Sequence, residues 1–134
     1  GYDLTPYFPY GKDCSMWHKD AKQHFDLFNK KYYKEFAKNC DDYFFLPHRK
    51  EKRGIGGVFF DNFNELDLDS SIEMLKNTSK TYLNSYLKII NRRKDRKYTP
   101  KDKSFQEYRR GRYAEFNLLY DRGTSFGLQS GGRI

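Results

Sequence analysis

The sequence predicts an α+β fold, and three observations carry that expectation. Aromatic and apolar residues recur at three- and four-residue steps over residues 17–32 and again beyond residue 70, the period of helices buried by one face. Residues 113–120 instead alternate strictly, the period of a strand. The two kinds of segment follow one another without the βαβ rhythm of a doubly wound sheet. Twelve phenylalanines, twelve tyrosines and one tryptophan make up 19% of the 134 residues, so a core built of rings is expected despite a mean hydropathy of −1.04. Disordered chains are poor in such residues.

Residues 1–12 hold two prolines and two glycines and read as a strand exit and loop. A helix is expected from Asp13, placed at its N-cap, with Trp17, Ala21, Phe25, Phe28 and Tyr32 on one face. The pattern continues through Phe36, Cys40 and Tyr43 with a break near Asn29, and Pro47 stops it. Gly54, Gly56 and Gly57 then lead into the β-prone Val58, Phe59 and Phe60. Ser70 and Glu73 make a capping box before a second helix with an apolar stripe of Ile72, Leu75, Tyr82, Tyr86 and Ile90. Thr99 and Pro100 open a third, shorter helix. Residues 113–120 are expected as a strand, Asp121, Arg122 and Gly123 as a turn, and residues 125–128 as a return strand.

Of the net charge of +8, most lies in residues 88–103, where eight Lys and Arg face only Asp95 and Asp102. Such a run can hold RNA or an acidic membrane; here it reads as a solvated linker between two helices. No apolar run approaches the roughly 20 residues of a membrane helix, and no signal-peptide pattern opens the sequence. Cys14 and Cys40 are too few for a disulfide scaffold, and His18, His24 and His48 have no metal-ligand spacing. Nucleotide-binding glycine motifs and the Gly-x-Ser-x-Gly elbow are missing. What remains is arginine beside flexible backbone: Arg49 and Arg53 before the glycine turn, Arg109, Arg110 and Arg112, then Arg133 after Gly131 and Gly132. Guanidinium groups pair with carboxylates through two parallel bonds, so several at different positions suit a ligand with several acid groups.

Two stretches resemble a known family. Cys40-Asp41-Asp42-Tyr43-Phe44-Phe45, His48-Arg49 and Arg53-Gly54-Ile55-Gly56-Gly57-Val58-Phe59-Phe60-Asp61 form the first. Tyr108-Arg109-Arg110-Gly111-Arg112-Tyr113-Ala114-Glu115-Phe116-Asn117-Leu118-Leu119-Tyr120-Asp121-Arg122-Gly123-Thr124, continuing to Phe126-Gly127-Leu128 and Gly131-Gly132-Arg133, forms the second. Together with Asp3-Leu4-Thr5-Pro6 they resemble the oxygen-dependent coproporphyrinogen-III oxidases. The resemblance implies a large flat antiparallel sheet flanked by helices, of which residues 1–134 are part of a single domain lacking the family's N-terminal part and C-terminal tail. It implies oxidative decarboxylation of two propionates of coproporphyrinogen III to vinyl groups, with O2 as co-substrate and no organic cofactor, giving protoporphyrinogen IX in haem synthesis. It assigns Asp3 a catalytic place under the pyrrole N–H groups. Substrate binding falls to Arg53, Gly131, Gly132 and Arg133, and a divalent metal to His18 and His48 as in some bacterial members. Met16 departs from a histidine often found there. Arg53→Ala is expected to raise KM and leave the fold intact. A homodimer formed from about Tyr113 onward is implied, in the cytoplasm or the mitochondrial intermembrane space, with no nucleic-acid partner and no transmembrane segment. The alternatives are a non-catalytic module holding a tetrapyrrole or nucleic acid, and a purely dimer-forming module.

Overall fold

A computed structural model describes residues 1–132. Strand β1 (Tyr2–Asp3) leads through a proline-containing loop to helix α1 (Gly11–Phe25), and α2 (Tyr32–Tyr43) follows the break expected near Asn29. The short strands β2 (Phe45–Leu46), β3 (Glu51–Lys52) and β4 (Gly57–Val58) come next. Three helices complete the order: α3 (Leu68–Arg93), α4 (Pro100–Leu119) and α5 (Arg122–Gln129). β1 pairs antiparallel with β4, placing Tyr2 opposite Val58 and Asp3 opposite Gly57, and β2 pairs with β3. The fold is therefore α+β, but its strands among the described residues form two two-stranded ladders rather than one wide sheet. Among the described residues no helix is long and apolar enough to cross a membrane.

Helical spacing explains the main core. Ala21, Phe25, Tyr32 and Phe36 from α1 and α2 meet Val58 and Met74, with Phe60 and Phe63 packed against them. Phe25 meets Phe36 edge-on at 5.2 Å, and Phe36 stacks on Phe60 at 4.5 Å. Such ring pairs add about 0.5–1.5 kcal/mol each beyond the area they bury. A second cluster joins Cys40, Phe44 and Leu46 to Phe116 of α4, with Tyr43 stacked on Phe59 at 4.9 Å.

The structure corrects several expectations. Asp13 is not the N-cap of α1, which is Tyr10; Asp13 is buried and receives Arg92 and Arg93 from the end of α3, the Arg93 bond at 2.7 Å. Those guanidinium bonds hold its carboxyl below the usual range. α3 starts at Asp67, whose side chain accepts from the Ser70 amide. The buried positions of α3 are Met74, Thr78 and Ser85, because its seam with α1 is polar and tight: His24 Nε2–H donates to Thr78 Oγ1 at 2.9 Å and Ser85 donates to Asp20 at 2.7 Å. The expected apolar stripe flanks that seam half-exposed. Residues 113–119 and 125–128 are helical, within α4 and α5, and Tyr120 is the C-cap of α4. Thr99 and Asp102 complete a reciprocal capping box for α4, and the expected turn residue Asp121 caps α5 by accepting from the Thr124 amide. The basic run is linker only over 94–99; the rest lies in α3 and α4.

Candidate active site

Arg53 stands at the centre of the expected constellation, and the glycine turn after it explains its placement. Gly54 and Gly56 have φ of +74° and +81°, which side chains of L-residues rarely adopt. A Cβ on Gly54 would lie 2.4 Å from the Leu4 carbonyl oxygen, so the turn can approach β1 only as bare backbone. That approach is hydrogen-bonded in both directions: Leu4 N–H donates to Gly56 O at 3.1 Å and Ile55 N–H to Leu4 O at 2.9 Å. α1 clamps the same turn from its other side. Trp17 Nε1–H donates to Gly56 O at 3.1 Å and His18 Nε2–H to Ile55 O at 2.8 Å. Adjacent residues of one helix thereby hold successive carbonyls of the turn.

With its backbone so fixed, the Arg53 side chain runs into the second core cluster, only 8% exposed. Its Nη2 donates to Asp3 Oδ2 at 2.9 Å and its Nη1 to Asn117 Oδ1 at 2.8 Å. The guanidinium carbon lies 4.0 Å from the Phe44 ring centroid, 4.7 Å from Tyr113 and 4.8 Å from Phe116. Nε is buried without a partner. The structure thus joins Asp3 to Arg53 as a buried ion pair, a feature that couples site and core. The expectation that Arg53 can be truncated without harm to the fold does not follow from this geometry.

The Asp3 carboxylate is not saturated by Arg53. Oδ2 takes Arg53 and, at 3.4 Å, the Thr5 hydroxyl, while Oδ1 has no hydrogen-bond partner among the described residues. The residue lines a cleft of about 420 Å³ between β1 and α3, walled by Tyr2, Phe60, Leu75 and Tyr82, with Thr78 and Ser79 beside them. That volume is within the range of about 300–1,000 Å³ usual for small-molecule sites. The chemistry available is a carboxylate fixed by Arg53, on a residue that borders a cleft of mixed apolar and polar lining.

The remaining expected residues are not gathered here. Gly131 (φ +72°) and Gly132 donate to Leu128 O and Gly127 O, which closes the end of α5; both are exposed, and no hydrogen bond ties them to Asp3 or Arg53. Arg133 lies outside the described residues. Both histidines have each ring nitrogen at a hydrogen-bonding partner. His18 Nε2 carries the proton donated to Ile55, and its Nδ1 accepts from the Tyr33 hydroxyl at 3.2 Å. His48 Nε2–H donates to Glu115 at 2.9 Å, and its Nδ1 faces the Tyr120 hydroxyl at 2.9 Å. Among the described residues no group of three His, Cys, Asp or Glu could hold a metal ion. Burial pushes the Cys40 thiol up to about 12, which excludes it as a nucleophile near neutrality.

Two features escaped sequence reasoning. One is the clamp by Trp17 and His18, whose only local signal was their place on the buried face of a helix. The other is the attachment of α4 to the β2–β3 hairpin. Glu115 takes Arg49 through Nε at 2.5 Å and Nη2 at 2.8 Å, and His48 beside it. Arg49 first and His48 second lower the Glu115 carboxyl to about 2.

The chain matches a sequence model of the coproporphyrinogen III oxidase family over residues 1–134. It is 51% identical over 133 residues to the oxygen-dependent coproporphyrinogen-III oxidase of Francisella tularensis subsp. holarctica (strain OSU18). Proteins of the same name from subsp. novicida (strain U112) and subsp. mediasiatica (strain FSC147) show the same 51% over 133 residues. Each match covers 99% of this chain, which spans 43% of the length of these curated relatives.

Proposed function

Because the chain belongs to the coproporphyrinogen III oxidase family, we propose that it forms part of an enzyme converting coproporphyrinogen III to protoporphyrinogen IX with O2. In that reaction each of two propionate arms loses CO2, one proton and two electrons to become a vinyl group, and O2 accepts the electrons. The observation that carries the reading is the Asp3 carboxylate, fixed by the buried Arg53 and with one oxygen not taken by the described residues, on a residue that borders the cleft. A carboxylate there accepts pyrrole N–H groups. It raises electron density in the ring and helps to remove an N–H proton, which is general base and electrostatic assistance at a fixed point.

Arg53 acts first as the group that sets Asp3. It reaches a propionate by exchanging its bond to Asn117, the uncharged one of its two partners. Gly131, Gly132 and Arg133 supply a further propionate contact in this reading, with bare backbone admitting the ligand. No residue is assigned to an organic cofactor. The full domain holds these 134 residues as one part and extends the β1–β4 ladder into a larger flat antiparallel sheet. The enzyme is a cytoplasmic homodimer pairing from about Tyr113 onward, where exposed Leu118, Leu119, Phe126 and Leu128 offer apolar surface.

Asp3→Asn in the full-length protein tests the assignment. It keeps the shape and one acceptor oxygen but removes the charge, so kcat should fall by about 100-fold or more, the scale of a lost acid–base group, with KM little changed. An unchanged kcat in a folded variant removes Asp3 from the chemistry.

A further inference from the structure

A second cavity, of about 480 Å³, opens where the loop before α1 meets the α3–α4 connection. Phe8, Tyr10 and Tyr98 wall it, and Arg93, Lys94, Lys97 and Lys103 rim it. Asp102, the acid among its lining residues, is committed to the α4 cap, where it accepts from the Thr99 amide and hydroxyl. Arg93 is held by Asp13 and stacks 3.9 Å from the Tyr10 ring centroid, so this part of the rim is fixed. Lys94 and Lys97 have no ion pair among the described residues. An apolar groove of about 390 Å³ continues from the cavity past Pro6, Ile55 and Ile90, sharing Phe8, Tyr10 and Arg93 with it. Neither space shares a lining residue with the Asp3 cleft.

Cations on the rim of an aromatic and apolar trough select one kind of ligand. A compact inorganic anion would leave the rings and the groove unfilled. An apolar molecule would leave Lys94 and Lys97 without a counter-charge. We propose that this cavity binds an amphipathic organic anion with a flat body and at least two acid groups along one edge. The flat body lies between Phe8 and Tyr98, and the acid groups meet Lys94 and Lys97. Part of the basic run that reads from sequence as a solvated linker is thereby given a ligand. The site is independent of turnover at Asp3, and its chemistry is shared by a polycarboxylate such as a porphyrin acid and a polyphosphate such as a nucleotide.

Equilibrium binding to the full-length protein tests this, with coproporphyrin III and ATP as probes. Lys94→Glu/Lys97→Glu should weaken one site for at least one probe by about tenfold, the scale of reversing two charges at a partly screened site. Tyr98→Ala should weaken the same site severalfold. The probe affected tells polycarboxylate from polyphosphate. A Lys76→Glu/Lys80→Glu control, the same charge change made within α3, should leave binding as in the wild type. Turnover of coproporphyrinogen III by the Lys94→Glu/Lys97→Glu variant should stay near wild type, which separates this proposal from the one for Asp3. Equal binding of both probes by wild type and variant, equal loss in the control, or a loss seen only with a single-stranded oligonucleotide overturns it.

Discussion

Replacing Arg53 by methionine removes the charge beneath Asp3 while keeping an unbranched side chain among Phe44, Tyr113 and Phe116. Deleting one partner of a fully buried ion pair costs about 3–5 kcal/mol, because the other charge is left without compensation. Here Asp3 is 21% exposed, so water recovers part of that cost, and the partnerless Nε is lost without penalty. Loss of the contacts to three rings adds about 0.5–2 kcal/mol. The net expectation is about 2–3 kcal/mol, or about 30- to 150-fold in the folding equilibrium. Urea unfolding of the full-length protein reads it as a shift in midpoint at constant slope. Asp3→Asn alone and in combination completes a double-mutant cycle, in which the coupling should be about 1 kcal/mol or more. A variant within about 0.5 kcal/mol of wild type, or strictly additive effects, would refute the buried pair, since surface substitutions fall in that range.

Gly54→Ala should destabilise by about 2 kcal/mol or more, from a strained φ and a Cβ driven onto the Leu4 carbonyl; an unchanged urea midpoint would show that the turn does not abut β1. Gly111 lies inside α4 with open space where a Cβ would go, so Gly111→Ala should stabilise by about 0.5–1 kcal/mol. A loss in thermal midpoint there would contradict the helix. The Glu115 carboxyl has an ordinary value of 4.5 and is lowered to about 2 in the fold. Its contribution is therefore present above pH 4.5 and lost as the pH falls toward 2. Wild type should lose more thermal stability than Glu115→Gln over that window, and parallel curves would show that the Arg49–Glu115–His48 contact is not formed.

Much of the helical framework is legible in the sequence. Trp17, Ala21, Phe25, Tyr32 and Phe36 are where their spacing puts them, because α1 and α2 each bury one face. Residues 113–120 mislead because two periods coexist in them. Alternation is present, but Tyr113, Phe116, Asn117 and Tyr120 also follow the i, i+3, i+4, i+7 spacing of a helix face. That face is the one used: Tyr113 and Phe116 enclose Arg53, Asn117 binds it and Tyr120 meets His48. A run of eight residues cannot decide between the periods, whereas the capping box at Thr99 begins a helix long enough to include it. At the site, Arg53 and the glycine turn are legible because glycine at positive φ leaves a local mark. The bond from Arg53 to Asp3, fifty residues away, leaves none; only the register of β1 on β4 creates it.

The most direct test of the functional reading is aerobic turnover of coproporphyrinogen III by the full-length protein, following CO2 release, O2 uptake and protoporphyrin fluorescence after oxidation. Two CO2 per substrate, formed only with O2 present and lost in Asp3→Asn, is the predicted result. A folded full-length protein that consumes no O2 and forms no protoporphyrin would contradict it.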